Sequence, residues 1–257
     1  MDHKEQEIGT VGIIGAMDSE VTFLKSALQN AQEESVGGLN LTTGNIGETT
    51  VVVAKSGIGK VNAALCAQIM IDRFSVVCLI NTGIAGGIGS DGALAIGDFV
   101  IGTDAVQYDF DVTAFGHAKG YMCTGIQHDQ PTIYHSDAAL VAAIERSAAK
   151  WLPQAKLKHG RIATGDTFVS DSRVKNELWQ NFHATAAEME GAAIAQTATA
   201  NGIPFVIVRA ISDLADDSAA RSYDEFEKEA AGISANIVIE LLKNELGGKN
   251  HGKLQKN

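Results

Sequence analysis

The chain has 257 residues, 45% of them hydrophobic and 20% charged, a balance that suits one large folded α/β domain or two small ones. Burial is extensive at this length, so no disulfide staple is required. The formal charge of −11 argues against nucleic acid and anionic membranes as partners, because both need a basic footprint. Residues 1–8 read as a polar lead-in, and Thr10 to Ala16 as a short apolar strand. Asp18 or Ser19 can cap a helix that carries Val21, Leu24 and Leu28 on one face. Leu39 to Ile46 and Thr50 to Ser56 read as two strands joined at Gly47-Glu48. Gly59 to Phe74 has helical spacing, with Val61, Leu65, Ile69 and Met70 repeating. Val76 to Thr82 is a buried strand that runs into the glycine-rich segment GIAGGIG, and Asp98 to Tyr108 is another strand.

The stretch from Asp109 to Pro131 reads as a long irregular loop, a kind of segment that tends to carry function. Helices are expected over Ser136 to Trp151, Asp171 to Phe182, Met189 to Asn201 and Tyr223 to Leu246. Strands are expected over His159 to Thr164 and Pro204 to Ile211. Strands alternating with helices favour one mostly parallel sheet covered on both faces. Without a linker or repeat, a single domain over residues 9–246 is expected, with residues 1–8 and 247–257 as flexible termini. The first residues lack a hydrophobic signal core, and no apolar run reaches bilayer length. The three cysteines show no CxxC spacing and the seven histidines no HxH or HExxH pair, so the expectation is a cytoplasmic chain without metal.

PFVIVRAISDLADD (204–217) concentrates the chemical signal. A continuous apolar run reads as a strand buried on both faces, and it ends in Ser212-Asp213. Open α/β sheets bind ligands beyond the carboxyl ends of such strands. Glu20, in GAMDSE, follows the first strand and sits in the first turn of a helix. A carboxylate is stabilised there by the helix dipole alone, or it serves as a general base at a strand end. NTGIAGG (81–87) lets backbone approach a ligand or simply turns the chain; it lacks the GxGxxG of a dinucleotide fold. In AEMEG, Glu188 and Glu190 stand two apart and do not share a helix face, so one at most enters a given site. Phe168 in ATGDTFV reads as core or as a stacking platform.

Seven segments resemble, in order, the 5′-methylthioadenosine/S-adenosylhomocysteine nucleosidases of the nucleoside phosphorylase superfamily: GIIGAMDSEV, KSGIGKVNAA, NTGIAGG, DVTAFG, GDTFV, EMEGAAIA and VRAISDLAD. The resemblance spans about Gly12 to Leu242. It implies a single α/β domain with a central mixed, partly barrel-like sheet flanked by helices. It further implies a homodimer with a shared 5′ pocket, a small nucleoside substrate, and neither metal nor organic cofactor. By motif, Glu20 matches the base that activates water, and Asp213 the acid that protonates adenine N7. Glu190 matches the carboxylate on the ribose hydroxyls, Phe168 the ring stacked on adenine, and Val169 the backbone that reads the base edge. Met17 and Met189 match apolar contacts around the ribose, and Ile58 and Tyr223 match residues near the 5′-substituent. Val112 and Phe115 match the segment that closes this pocket from the other subunit. Ser212 can orient Asp213, and Ile84, Ala85 and Gly86 of NTGIAGG are further substrate-binding candidates. Ile84 stands where the family often has Ser, and Tyr223 where Phe is common.

Acidic residues Asp18 and Glu20 near the nucleophile side favour water over phosphate, which carboxylates repel. Arg209 lies within a strand and reads as a structural ion-pair partner. The expected reaction is hydrolysis of a thio-substituted adenosine. The alternatives are a purine nucleoside phosphorylase and a non-catalytic nucleoside-binding protein.

Overall fold

Among the described residues there are ten strands and six α-helices, and nine of the strands divide between a closed ring and an open wing, the tenth pairing with a ring strand. The computed structural model describes residues 9–89, 93–123 and 129–246. The expected flexible termini, 1–8 and 247–257, lie outside the described residues. In chain order the elements begin with β1 (Thr10–Gly15), α1 (Asp18–Ser26), β2 (Gln29–Val36), β3 (Leu39–Ile46) and β4 (Thr49–Lys55). There follow α2 (Lys60–Phe74), β5 (Val76–Gly87), β6 (Phe99–Gln107), β7 (Tyr134–His135) and α3 (Ala138–Ala148). The last third holds β8 (Leu157–Thr164), α4 (Ser172–Phe182), β9 (Ala184–Glu188), α5 (Gly191–Ala200), β10 (Phe205–Asp213) and α6 (Ala219–Asn244).

β5, β10, β6, β8 and β9 pair in that order, and β9 pairs back to β5, so five strands close into a barrel. From β5 the sheet continues outward as β1, β4, β3 and β2. The sheet is not mostly parallel, as strand–helix alternation alone suggests. Five of its pairings are antiparallel, including the hairpins β2–β3 and β3–β4 and the ring contacts β10–β6 and β5–β9. Alternation does not detect hairpins, or a strand that reverses when a sheet closes.

Two strands differ from expectation in ways that build the site. β5 does not stop at Thr82 but continues through the glycine-rich segment to Gly87. Glycine runs commonly mark turns. Here Gly83 and Gly86 are ordinary strand residues whose missing side chains make room. A Cβ on Gly83 would lie 2.3 Å from Glu20 Oε1, and one on Gly86 would lie 2.8 Å from Asp213 Oδ1. β10 is buried at every residue and extends past Ile211 to Asp213. Its register against β5 jumps from Ile211↔Ala85 to Asp213↔Gly86. Such a bulge re-aims the side chains beside it.

β2 and β9 had no clear signal. The β2 sequence, QNAQEESV, is polar and exposed, and only its hairpin with β3 makes it a strand. β9, ATAAE, is short and alanine-rich. It meets β5 only at the tips, Gly86↔Ala187 and Gly87↔Ala186, so the carboxyl ends of two antiparallel strands adjoin. α1 is capped at Met17, not at Asp18 or Ser19, and it ends before Leu28. α6 buries Ile237 and Leu241, as its stripe suggests, against β10, β5 and α1. Among the described residues, no helix is long and apolar enough to cross a membrane.

One buried ion pair ties the ring together. The Glu188 carboxylate, at the end of β9, accepts from Arg209 of β10 and from the Thr164 hydroxyl of β8. It also accepts from the Gly191 N–H at 2.8 Å. Arg209 donates to Asn81 Oδ1 of β5 at 2.5 Å, and Asn81 Nδ2 donates to the Ile14 carbonyl of β1 at 3.0 Å. Arg209→Met strands the Glu188 charge in the interior, and is expected to cost about 3–5 kcal/mol. Denaturant unfolding checks this; a loss below about 1 kcal/mol would show that the pair does not hold the ring.

Candidate active site

The carboxyl ends of β1, β5, β9 and β10, with the segment after β8 and the start of α6, enclose a cavity of about 430 Å³. That is the size of a small-molecule site. Met17 and Glu20 reach it from the start of α1, and Ile58 from the turn before α2. Ile84, Ala85 and Gly86 form one wall from β5, and Phe168 and Val169 another. Met189 and Glu190 follow β9, Ser212 and Asp213 end β10, and Tyr223 projects from α6. Thus thirteen of the fifteen residues expected at the site line one cavity.

Val112 and Phe115 do not line it. Both belong to the exposed single turn around Thr113–Phe115, where Phe115 is 79% exposed. Six lining residues were not anticipated: Ala16, Thr167, Ala187, Glu188, Ala220 and Asp224. The alanines carry no chemical signal in a sequence. Thr167 lies inside GDTFV, next to the more conspicuous Phe168. Glu188 was singled out in AEMEG, but spacing does not say which of two acids faces a cavity. Both line the cavity, against the expectation that one at most would enter, because they flank the end of β9 and do not lie on a helix face. Glu188 is held by Arg209, while Glu190, in the N-cap position of α5, accepts the Gly59 N–H at 2.8 Å.

Each acid is out of water, with a different set of donors. Glu20 accepts at one oxygen from the N–H groups of Ala16 (2.6 Å) and Met17 (3.0 Å), and at the other from Ile84 (3.1 Å). Burial raises its pKa, while Arg209 and these three N–H groups pull it back. Three donors and no acceptor suit the ionised carboxylate. Asp213 accepts from the Ser212 hydroxyl at 2.9 Å and from the Ala215 N–H at 2.8 Å. Burial raises its pKa from the ordinary aspartate value, against those two hydrogen bonds. Ala215 takes φ +52° to present its N–H. For a residue with a Cβ, that left-handed conformation costs about 1–2 kcal/mol. Glu190 is pushed up to about 8, first by burial and then by the neighbouring Glu188 charge.

The walls are largely apolar. Phe168 is 43% exposed and meets the Tyr223 ring edge-on, with centroids 5.6 Å apart. The Tyr223 hydroxyl donates to Met17 Sδ at 3.0 Å. An open aromatic face, an apolar floor and three acids without a cation of their own suit a flat heterocycle joined to a group that becomes positive.

The chain matches the phosphorylase superfamily model over residues 10–243. It is 40% identical to the 5′-methylthioadenosine/S-adenosylhomocysteine nucleosidase of Shewanella halifaxensis, over 91% of this chain and 98% of that one. The Geobacillus thermodenitrificans nucleosidase is 42% identical over 90% and 94%. The chain belongs to this nucleosidase family. The fold agrees: the Neisseria meningitidis nucleosidase, solved with methylthio-immucillin-A, is 42% identical, covers 91% of this chain with 98% of its own, and superposes with a TM-score of 0.84. The family assignment accounts for the closed mixed barrel.

In this nucleosidase the raised Glu190 has a consequence for stability. A carboxyl with a raised folded pKa binds more protons folded than unfolded. The stability it supports is complete below 4.5, the unperturbed value, and is lost as pH rises toward about 8. Glu190→Gln is therefore expected to be more stable than the parent at about pH 8.5, and the gap should close near about pH 5. Denaturant midpoints at both pH values, measured without nucleoside, check this; a gap independent of pH refutes it.

Proposed function

We propose that this nucleosidase hydrolyses the N-glycosidic bond of 5′-methylthioadenosine and S-adenosylhomocysteine, releasing adenine and the thioribose. The observation that carries the reading is the convergence of Glu20, Glu190 and Asp213 on one apolar cavity, in a chain about 40% identical to named nucleosidases. The catalytic unit is taken as residues 9–246.

In the proposed reaction the ribose–adenine bond breaks with its electron pair leaving on adenine, and positive charge develops on the sugar. Asp213 gives its proton to adenine N7, so the base departs neutral. A free Asp, with a pKa of roughly 3.9, is ionised at neutral pH. Burial of Asp213 counters that, and Ser212 fixes the carboxyl. Glu20 takes a proton from water, and the hydroxide equivalent attacks the sugar carbon. The three N–H donors fix the Glu20 oxygens and favour the charged form that a base requires. Glu190 accepts the ribose hydroxyls, Phe168 stacks on adenine, and Val169 offers backbone to the base edge. Ile58 and Tyr223 border the 5′-substituent, and Met17 and Met189 pack on the ribose.

Water is the nucleophile in this reading, not phosphate. The described lining residues include five carboxylates and no Lys, Arg or His. The interior Arg209 is engaged by Glu188 and Asn81. A dianion entering here would meet carboxyl groups and, among the described lining residues, no side-chain cation.

The proposed assembly is a homodimer. Val61 and Leu65 on α2, 70% and 57% exposed, lie one turn apart beside Ile58, and Phe115 is the most exposed large apolar residue among those described. In such a pair, Val112 and Phe115 of one protomer close the 5′ pocket of the other. We place the protein in the cytoplasm, where its three unpaired cysteines are compatible with a reducing environment.

Purified protein with 5′-methylthioadenosine in phosphate-free buffer is expected to release free adenine. Release only upon adding phosphate overturns hydrolysis in favour of phosphorolysis. Asp213→Asn and Glu20→Gln are each expected to lower kcat by about 10²–10⁴-fold with the fold intact. Light scattering is expected to give twice the 27.0 kDa chain mass, and a single-chain mass refutes the dimer.

A further inference from the structure

Lys60, the first residue of α2, does not line the cavity, yet it ties two of the segments that build it to Asp109, just past the end of β6. Its Nζ donates to Asp109 Oδ1 at 2.5 Å and lies 4.0 Å from Asp166 Oδ2. Its backbone N–H donates to Asp166 Oδ1 at 2.8 Å. The Asp166 N–H in turn donates to Asp109 Oδ2 at 3.0 Å, which closes a ring of contacts. The Lys60 and Asp109 side chains are only 17% and 26% exposed. Water screens these charges less than it screens a surface pair.

Two segments of the ring continue into groups that face the cavity, and Asp109 anchors both. Asp166 is followed directly by Thr167, Phe168 and Val169. The turn before Lys60 supplies Ile58 to the wall and the Gly59 N–H to Glu190. Turn and loop are pressed together: Gly59 has φ +99°, and a Cβ there would lie 3.0 Å from Asp166 Oδ1. Phe168 is half exposed, so its direction depends on the backbone that carries it.

We propose that Lys60 is a positioning residue for the reaction. Through Asp109 and Asp166 it clamps the Phe168 loop against the turn that holds Glu190. This rests on the nucleosidase reading. Without the ammonium, two adjoining carboxylates repel and the loop moves off the turn. Phe168 and Glu190 bind the substrate in ground state and transition state alike, so the loss falls on KM more than on kcat.

The test compares the parent with Lys60→Met and Lys60→Arg on 5′-methylthioadenosine. Lys60→Met is expected to raise KM about tenfold while kcat stays within about threefold. Lys60→Arg keeps a cation, and is expected to recover most of the loss. An unchanged KM, a loss confined to kcat, or no recovery with Arg overturns the clamp. If Lys60→Met does not fold, Asp166→Asn is the second variant, expected to raise KM several-fold; an unchanged KM overturns the proposal there too. A parent that binds adenine in calorimetry but does not turn over refutes only the nucleosidase reading. The clamp is then judged by adenine affinity, which Lys60→Met must weaken about tenfold. A parent that neither binds nor turns over refutes both.

Discussion

The shortage of positive charge in the interior governs the rest of this molecule. Arg209 is the one buried cation among the described residues, against five buried acids, Glu20, Asp98, Glu188, Glu190 and Asp213. It is committed to Glu188, so that pair closes the ring while Glu20, Glu190 and Asp213 remain without a close counter-charge. A buried carboxylate in that position shifts its pKa or finds neutral donors. Each of the three does both, in different proportion. Glu20 has three backbone donors, Asp213 a hydroxyl and one N–H, and Glu190 a single N–H. One ion pair thus stabilises the fold and, by engaging the one buried cation among the described residues, leaves three acids held by neutral donors at one cavity.

The barrel topology makes the gathering possible. Strand ends in a parallel sheet share an edge, which is why Glu20 and Asp213 were readable together. Glu190 arrives by a different route. β9 runs against β5, and the two pair only through their last residues, so opposite directions still end side by side. The glycines of β5 complete the arrangement. They are required not for a turn but because carboxylates from α1 and β10 occupy the volume where their side chains would project.

Much of this was legible because it is written in strong periodic or compositional signals. FVIVRAIS can hardly be other than a buried strand, and the acid after it was bound to face an edge. Ordered motif resemblance supplied what single segments did not: the closed mixed sheet, and the choice of Glu190 over its neighbour. The misreadings share a physical cause. NTGIAGG reads as backbone approaching a ligand or as a turn after Thr82, whereas β5 runs on to Gly87 and its glycines leave volume for the acids. β2 and β9 have no apolar alternation, since one is exposed and the other is built from small residues in a tight barrel. The ring around Lys60 was invisible because its members are about 50 residues apart and look like ordinary surface charges.

The outer rim of the wing has its own consequence. A closed ring has no free strand, so among the described residues the only long unpaired strand edge is β2. That strand carries Glu33 and Glu34, exposes nearly every side chain, and is interrupted by an irregular register at Gln29–Gln32 with Asn30 at φ +55°. Charge and a kink discourage a further strand from docking. The sheet therefore stops growing at both ends, by closure at one and by blunting at the other. Copies of this chain are steered away from edge-to-edge stacking, and their contacts are left to helix faces and loops.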